Sequence, residues 1–140
     1  MSTRATFRIA EATRQYDNII PRTYYIHYDG YPSGAAEYFV QLTDFMKEYL
    51  NKLEALFGTD AGMILRCYKK KRFSSFFEMG IPFSEETIDH DYHGDTDYQY
   101  NLFRTEEGEI IVTMKSLYGR DTEFCDTIVK FIEKYYKKGS

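Results

Sequence analysis

Eleven residues from Tyr24 to Gly34, Y-Y-I-H-Y-D-G-Y-P-S-G, hold the densest collection of chemically capable groups in the chain. His27, Asp29 and Tyr31 supply an imidazole, a carboxylate and a phenol within five residues. An imidazole beside a carboxylate can move protons or hold a polar ligand, and tyrosine rings stack on flat ones. Gly30 can take the positive φ of a tight turn, and Pro32 before Ser33 marks the start of a helix. The free N–H groups and positive dipole end of such a helix suit anions such as phosphate. A second concentration, D-H-D-Y-H-G-D-T-D at Asp89 to Asp97, invites a metal reading with its two histidines and four aspartates. Its spacing matches neither a zinc finger, an EF-hand loop nor the helical H-E-x-x-H, so it reads as a surface loop without a metal. No catalytic signature appears anywhere in the chain.

These groups need elements to hold them. Tyr24, Ile26 and Tyr28 alternate with Tyr25 and His27, the period of a half-buried strand. Ser2 to Ile9 alternates too, with Ala5, Phe7 and Ile9 opposite Arg4, Thr6 and Arg8. Arg4 lies near the end of that strand, within reach of a phosphate; for Arg8 a solvated surface charge is the commoner outcome. Glu11 to Arg22 lacks periodicity and reads as a loop. Ser33 is the expected N-cap of a helix whose apolar residues fall at Phe39, Leu42, Met46, Tyr49, Leu53 and Leu56, steps of three and four. It stops at Gly58 and should run roughly 35 Å at about 1.5 Å per residue, enough to cover a sheet.

Beyond Gly58 the pattern weakens. Ala61 to Tyr68 is short and apolar, and its expected form is a strand. Lys69 to Arg72 is a basic run, either a solvated face or a source of charge for a phosphate pocket. Phe73, Phe76, Phe77 and Met79 are either core or an apolar patch at an oligomer seam. Glu85 to Asp97 is acidic and turn-rich. Tyr98 to Arg104 and Glu109 to Leu117 form a hairpin around Glu106-Glu107-Gly108. Asp121 or Thr122 should cap a last helix with Phe124, Ile128, Phe131, Ile132 and Tyr135 in one stripe. The expected fold is a single α+β domain over residues 1–140: an antiparallel-rich sheet packed against one long central helix and a C-terminal helix.

Composition narrows the partners. The formal net charge of -4 repels phosphodiester backbones, so long nucleic acids are poor candidates, while a small anion answers to the local field of a pocket. The chain has 14 Tyr and 11 Phe but no Trp, an aromatic excess that serves either stacking and interfaces or the edge of a small core. Cys67 and Cys125 form no C-x-x-C pair and read as reduced, packed thiols. There is no apolar run of membrane-spanning length, and Met1 to Ile9 is too polar for a signal peptide, so a soluble intracellular protein is expected.

The opening M-S-T-R-A-T-F-R-I, followed by Y-I-H-Y-D-G-Y-P-S-G-A and a long helix, resembles a group of small phage and prophage proteins. Among them the chain is most similar to the Thoeris anti-defence sponges of the first type, which sequester a cyclic ADP-ribose isomer made by bacterial TIR-domain enzymes. The resemblance covers the two N-terminal strands and first helix, and in order the hairpin and last helix; residues 58–97 match nothing in it. It implies an α+β dimer or hexamer in the cytoplasm of the infected bacterial host, with no catalytic residue, no cofactor and no membrane contact. It also implies a nucleotide held intact at a subunit interface, with cyclic oligonucleotides at separate sites in some members. The implied ligand residues are Arg4, His27, Tyr28, Asp29 and Tyr31, with Tyr98, Tyr100, Asn101 and Arg104 from the hairpin strand and Arg120 after it. Two other classes compete. A phosphodiesterase-like enzyme would use His27 with Asp29, or the His90 and His93 loop with a metal, to cleave such a nucleotide; a structural or interaction protein would bind none.

Overall fold

The computed structural model describes residues 3–11, 22–80, 85–87, 96–105, 107–117 and 123–137. Among these the chain runs β1 (Ala5–Glu11), β2 (Arg22–Ile26), α1 (Pro32–Phe57), α2 (Ala61–Lys70), α3 (Phe73–Gly80), β3 (Glu85–Thr87), β4 (Tyr98–Arg104), β5 (Ile110–Ser116), β6 (Glu123–Thr127) and α4 (Ile128–Tyr135). The strands form one mixed sheet in the order β3-β2-β1-β4-β5-β6. Only β1 and β4 pair in parallel, Phe7 opposite Tyr100; every other neighbouring pair is antiparallel. The architecture is α+β, with a long helix and a C-terminal helix on an antiparallel-rich sheet.

Alternation decides which face is covered. Phe7 sits opposite Tyr24 and Tyr100, and Tyr100 opposite Met114, so these side chains share one face of the sheet. On that face Phe7 meets Phe39 of α1 at 6.0 Å and Phe77 of α3 at 5.5 Å, while Tyr100 meets Phe131 of α4 at 6.1 Å. The rings therefore pin three helices onto the sheet at once, each edge-to-face or tilted pair adding roughly 1 kcal/mol to the area buried. The opposite face carries Arg8, Gln99, Asn101, Thr113 and Lys115.

The 26 residues of α1 bury Ala35, Ala36, Phe39, Leu42, Met46 and Leu53, the expected stripe. The stripe ends one turn early, for Leu56 is 74% exposed. Gly58 stops the helix at φ 61°, its N–H reaching the Glu54 carbonyl at 2.8 Å. The N-cap is Tyr31, not the expected Ser33, because Pro32 already stands at the first helical position. Leu53→Asp would place a carboxylate among α1's core contacts and should cost about 3 to 5 kcal/mol. A thermal melt within about a degree of the parent would refute this packing.

Four sequence expectations are corrected. Ala61 to Tyr68 is not a strand but most of α2: the Asp60 side chain accepts from the Met63 N–H at 3.1 Å, a helix cap, and Ile64, Cys67 and Tyr68 turn inward at helical spacing. The last helix starts at Ile128, capped by Thr127. Glu123 to Thr127 instead pairs with the outer edge of β5, and Phe124 still meets Phe131 edge-to-face at 5.0 Å, which is why it mimics part of a helical stripe. Strand β2 is buried on both sides, with Thr23, Tyr24, Tyr25 and Ile26 all inside. The acidic segment opens with a strand, since Glu85–Thr87 extends the sheet beyond β2. In the cluster left open by sequence, Phe73, Phe76 and Phe77 are core while Met79 is exposed. The loop between β1 and β2, residues 89–95 of the acidic loop, and Asp121 and Thr122 lie outside the described residues. Among the described residues no helix is long and apolar enough to cross a membrane.

Candidate functional site

The parallel pairing of β1 with β4 brings chain positions some ninety residues apart to one end of the sheet. There Arg4 gives its backbone N–H to the Asp97 carboxylate at 3.0 Å, and its carbonyl accepts the backbone N–H of Asp97 and Tyr98. The end of β2 arrives beside it, and the Arg4 Nε donates to His27 Nδ1 at 3.3 Å. Tyr25, two residues before His27, places its hydroxyl 3.0 Å from the same nitrogen. A guanidinium can only donate, so Nδ1 is the acceptor and the neutral ring carries its proton on Nε2. His27 Nε2 is then a donor, and the Arg4 guanidinium sets a positive charge beside the ring, a combination that suits an oxyanion.

The turn that follows is tightly built. Gly30 donates to the Thr3 carbonyl at 2.9 Å and accepts from the buried Tyr100 hydroxyl at 2.7 Å, which ties it to both β1 and β4. Asp29 holds φ 63°, a left-handed conformation its short polar side chain tolerates. A Cβ on Gly34 would overlap the Asp29 carbonyl oxygen, so the first turn of α1 sits directly on this bend. Tyr28, 65% exposed, stands edge-on to the His27 ring at 4.7 Å, and Tyr31, 41% exposed, donates to the Asp29 carboxylate at 3.3 Å.

Electrostatics divides the cluster into two ends. The Asp29 carboxylate holds the Tyr31 phenol above its usual range, aided by desolvation. Burial and then the same carboxylate do so for Tyr38 on the next turns of α1. Asp29 and Glu37 thus make the start of α1 locally negative, against the expectation that its N-terminus would take the anion. The positive, donating end is Arg4 with His27, and the accepting end is Asp29.

The ten residues singled out by sequence separate accordingly. Arg4, His27, Tyr28, Asp29 and Tyr31 meet at this end of the sheet, with Tyr98 half-buried beside Arg4. Tyr100 and Arg104 are fully buried in the helix-covered layer. Tyr100 holds the turn from below, its phenol pushed well up by burial. Arg104 donates to the carbonyls of Tyr68, Lys69 and Lys71 at 3.3, 3.1 and 2.7 Å, finishing the C-terminal end of α2, and its surroundings are structural rather than open to a ligand. Asn101 pairs with Arg8 on the opposite face. Arg120 lies outside the described residues.

Two site residues escaped sequence reasoning. Tyr25 was legible in principle, since alternate strand residues share a face; Asp97 was not, because its place beside Arg4 depends on the parallel register. Among the described residues, no group of three or more His, Cys, Asp or Glu side chains is arranged to hold a metal ion. No family model, curated protein or solved structure matches the chain.

Proposed function

We propose that this end of the sheet binds a cyclic ADP-ribose-type nucleotide and sequesters it intact, the role of a phage anti-defence sponge in the cytoplasm of an infected bacterium. The observation that carries the reading is the Arg4–His27–Tyr25 network, which sets a guanidinium charge against an imidazole next to two exposed tyrosines and a carboxylate. A diphosphate takes the donors, a base stacks on a tyrosine ring, and Asp29 accepts from ribose hydroxyls or an exocyclic amine.

Sequestration is stoichiometric, so it needs nanomolar affinity, about -12 kcal/mol. A nucleotide of about 35 non-hydrogen atoms reaches that only near the usual limit of roughly -0.3 kcal/mol per atom. A cluster with Tyr28 this open covers one side of such a ligand. The reading therefore includes a second copy of the chain closing over the nucleotide, in a dimer or a larger ring.

The test mixes protein with the product of a TIR-domain enzyme, measures the free pool, then denatures the complex by heat and identifies the released nucleotide by mass. Intact cyclic nucleotide at one or fewer per chain is expected, from a protein that light scattering finds oligomeric at tens of micromolar. Arg4→Ala and His27→Ala should each weaken binding about 10- to 100-fold, the loss of one charge-assisted or well-placed hydrogen bond. Linear product with turnover would replace sequestration by phosphodiester cleavage, and an undepleted pool would end the nucleotide reading.

A further inference from the structure

Away from the Arg4–His27 end, a cavity of about 450 Å³ opens within the helix layer between α1, α4 and the β4–β5 turn. Its floor is Met46, Leu50, Tyr68, Ile110 and Ile128, with the exposed Val129 at the mouth. It exists because the packing changes along α1. Phe39 and Phe131 lock α1 to α4 at 5.1 Å, but further along the same interface the facing positions are Thr43, Thr127 and Gly108, too small to fill the space between the helices. Gly108 sits at φ 91°, and a Cβ there would already touch the Tyr68 ring at 3.5 Å, so the turn is held close to the floor and leaves the gap beside it.

The gap opens to solvent, so its apolar lining is surface that an occupant would take out of water. The volume lies within the range of small-molecule sites, which are mostly apolar with a few polar groups at the margin. Those groups are balanced here. Lys47 and Glu109 stand at the rim with opposite charges, so the mouth has no net sign with which to select an ion. The two threonines are each half used: Thr43 donates its hydroxyl to the Val40 carbonyl, keeping lone pairs, while Thr127 accepts from the Lys130 N–H, keeping its proton. A ligand meets one acceptor, one donor and otherwise hydrocarbon.

We propose that this cavity is a binding site for a small, uncharged, largely apolar ring compound, independent of the nucleotide site. Charge separates the two sites, since an anion suits the donors at Arg4 and His27 and gains nothing at the balanced rim.

N-phenyl-1-naphthylamine is a suitable probe, being uncharged, of about 17 non-hydrogen atoms and fluorescent when it leaves water. Held at low micromolar concentration and titrated with the full chain, it should show a saturable enhancement at one probe per chain, with Kd on the order of 0.1 mM or tighter. Val129→Trp should weaken this at least tenfold by filling the mouth; Val129 is 57% exposed, so the change needs no core rearrangement. Leu56→Ala removes an exposed apolar side chain elsewhere on α1 and should leave the titration unchanged. The sulfonated analogue 1-anilinonaphthalene-8-sulfonate, with closely similar rings and a negative charge, should bind more weakly than the neutral probe. The proposal fails if no saturable signal appears, or if Leu56→Ala abolishes it while Val129→Trp does not. It fails too if the sulfonate binds more tightly, or if the signal falls as sedimentation shows the chains associating, which would make a second copy the occupant.

Discussion

Gly34→Ala should be the most damaging small substitution in the protein, costing about 3 kcal/mol or more and lowering the melting temperature by roughly 10 °C or more. The new methyl group would overlap the Asp29 carbonyl oxygen and lie 3.0 Å from its carbonyl carbon and 3.2 Å from its Cβ. Two of these three atoms are backbone, and Asp29 is already held at φ 63° by the turn, so the obstacle cannot rotate aside. The strain would spread through Gly30 to Thr3 and Tyr100, the hydrogen bonds that fasten the turn to β1 and β4. Asp29→Gly is the control. It removes a left-handed non-glycine residue, so its stability should stay within about 1 kcal/mol of the parent. The Tyr31 phenol should then titrate lower, since the Asp29 charge is the largest cause of its raised value. A Gly34→Ala protein melting within about 2 °C of the parent would mean the helix start does not rest on this bend.

The second large effect is expected at Arg104. Its side chain is 0% exposed, and its guanidinium satisfies three carbonyls at the end of α2 while lying 5.3 Å over the Tyr68 ring. Truncation to Ala leaves those carbonyls without the donor and opens a space the size of a long side chain, so about 3 to 5 kcal/mol should be lost. At about 3 to 4 °C per kcal/mol for a chain of this length, that is a fall of roughly 10 to 20 °C in melting temperature. Arg104→Met keeps most of the volume and none of the donors, and should fall between Ala and the parent. Arg104→Lys should not rescue fully, because an ammonium cannot fork to the carbonyls of Tyr68, Lys69 and Lys71 as a guanidinium does. If Arg104→Ala kept its stability but lost nucleotide binding, the residue would belong to a site and not to the α2 terminus.

These two residues also mark what could be read early. The bend at Asp29-Gly30 and the helix start after it were legible because glycine and proline report backbone requirements locally. So were the stripe of α1, its stop at Gly58 and the β4–β5 hairpin, all set by periods of 3.6 or 2 within a dozen residues or so. The conjunction of His27, Tyr28, Asp29 and Tyr31 follows from the same local geometry. Arg104, by contrast, reads in sequence as a polar strand residue available to a ligand, and only the packing of α2 against the sheet turns it into a helix-end donor. The short elements α2 and β6 differ from the sequence expectation for a related reason. Their patterns fit strand and helix alike, and the choice rests on the Asp60 cap in one case and on the unpaired edge of β5 in the other. Tertiary structure alone decided that β1 lies between β2 and β4 with a parallel neighbour. That register sets Arg4 against Asp97 and, through β2, against His27. No local pattern encodes it, because pairing across some ninety residues is chosen by which faces bury together and not by any residue's own preference.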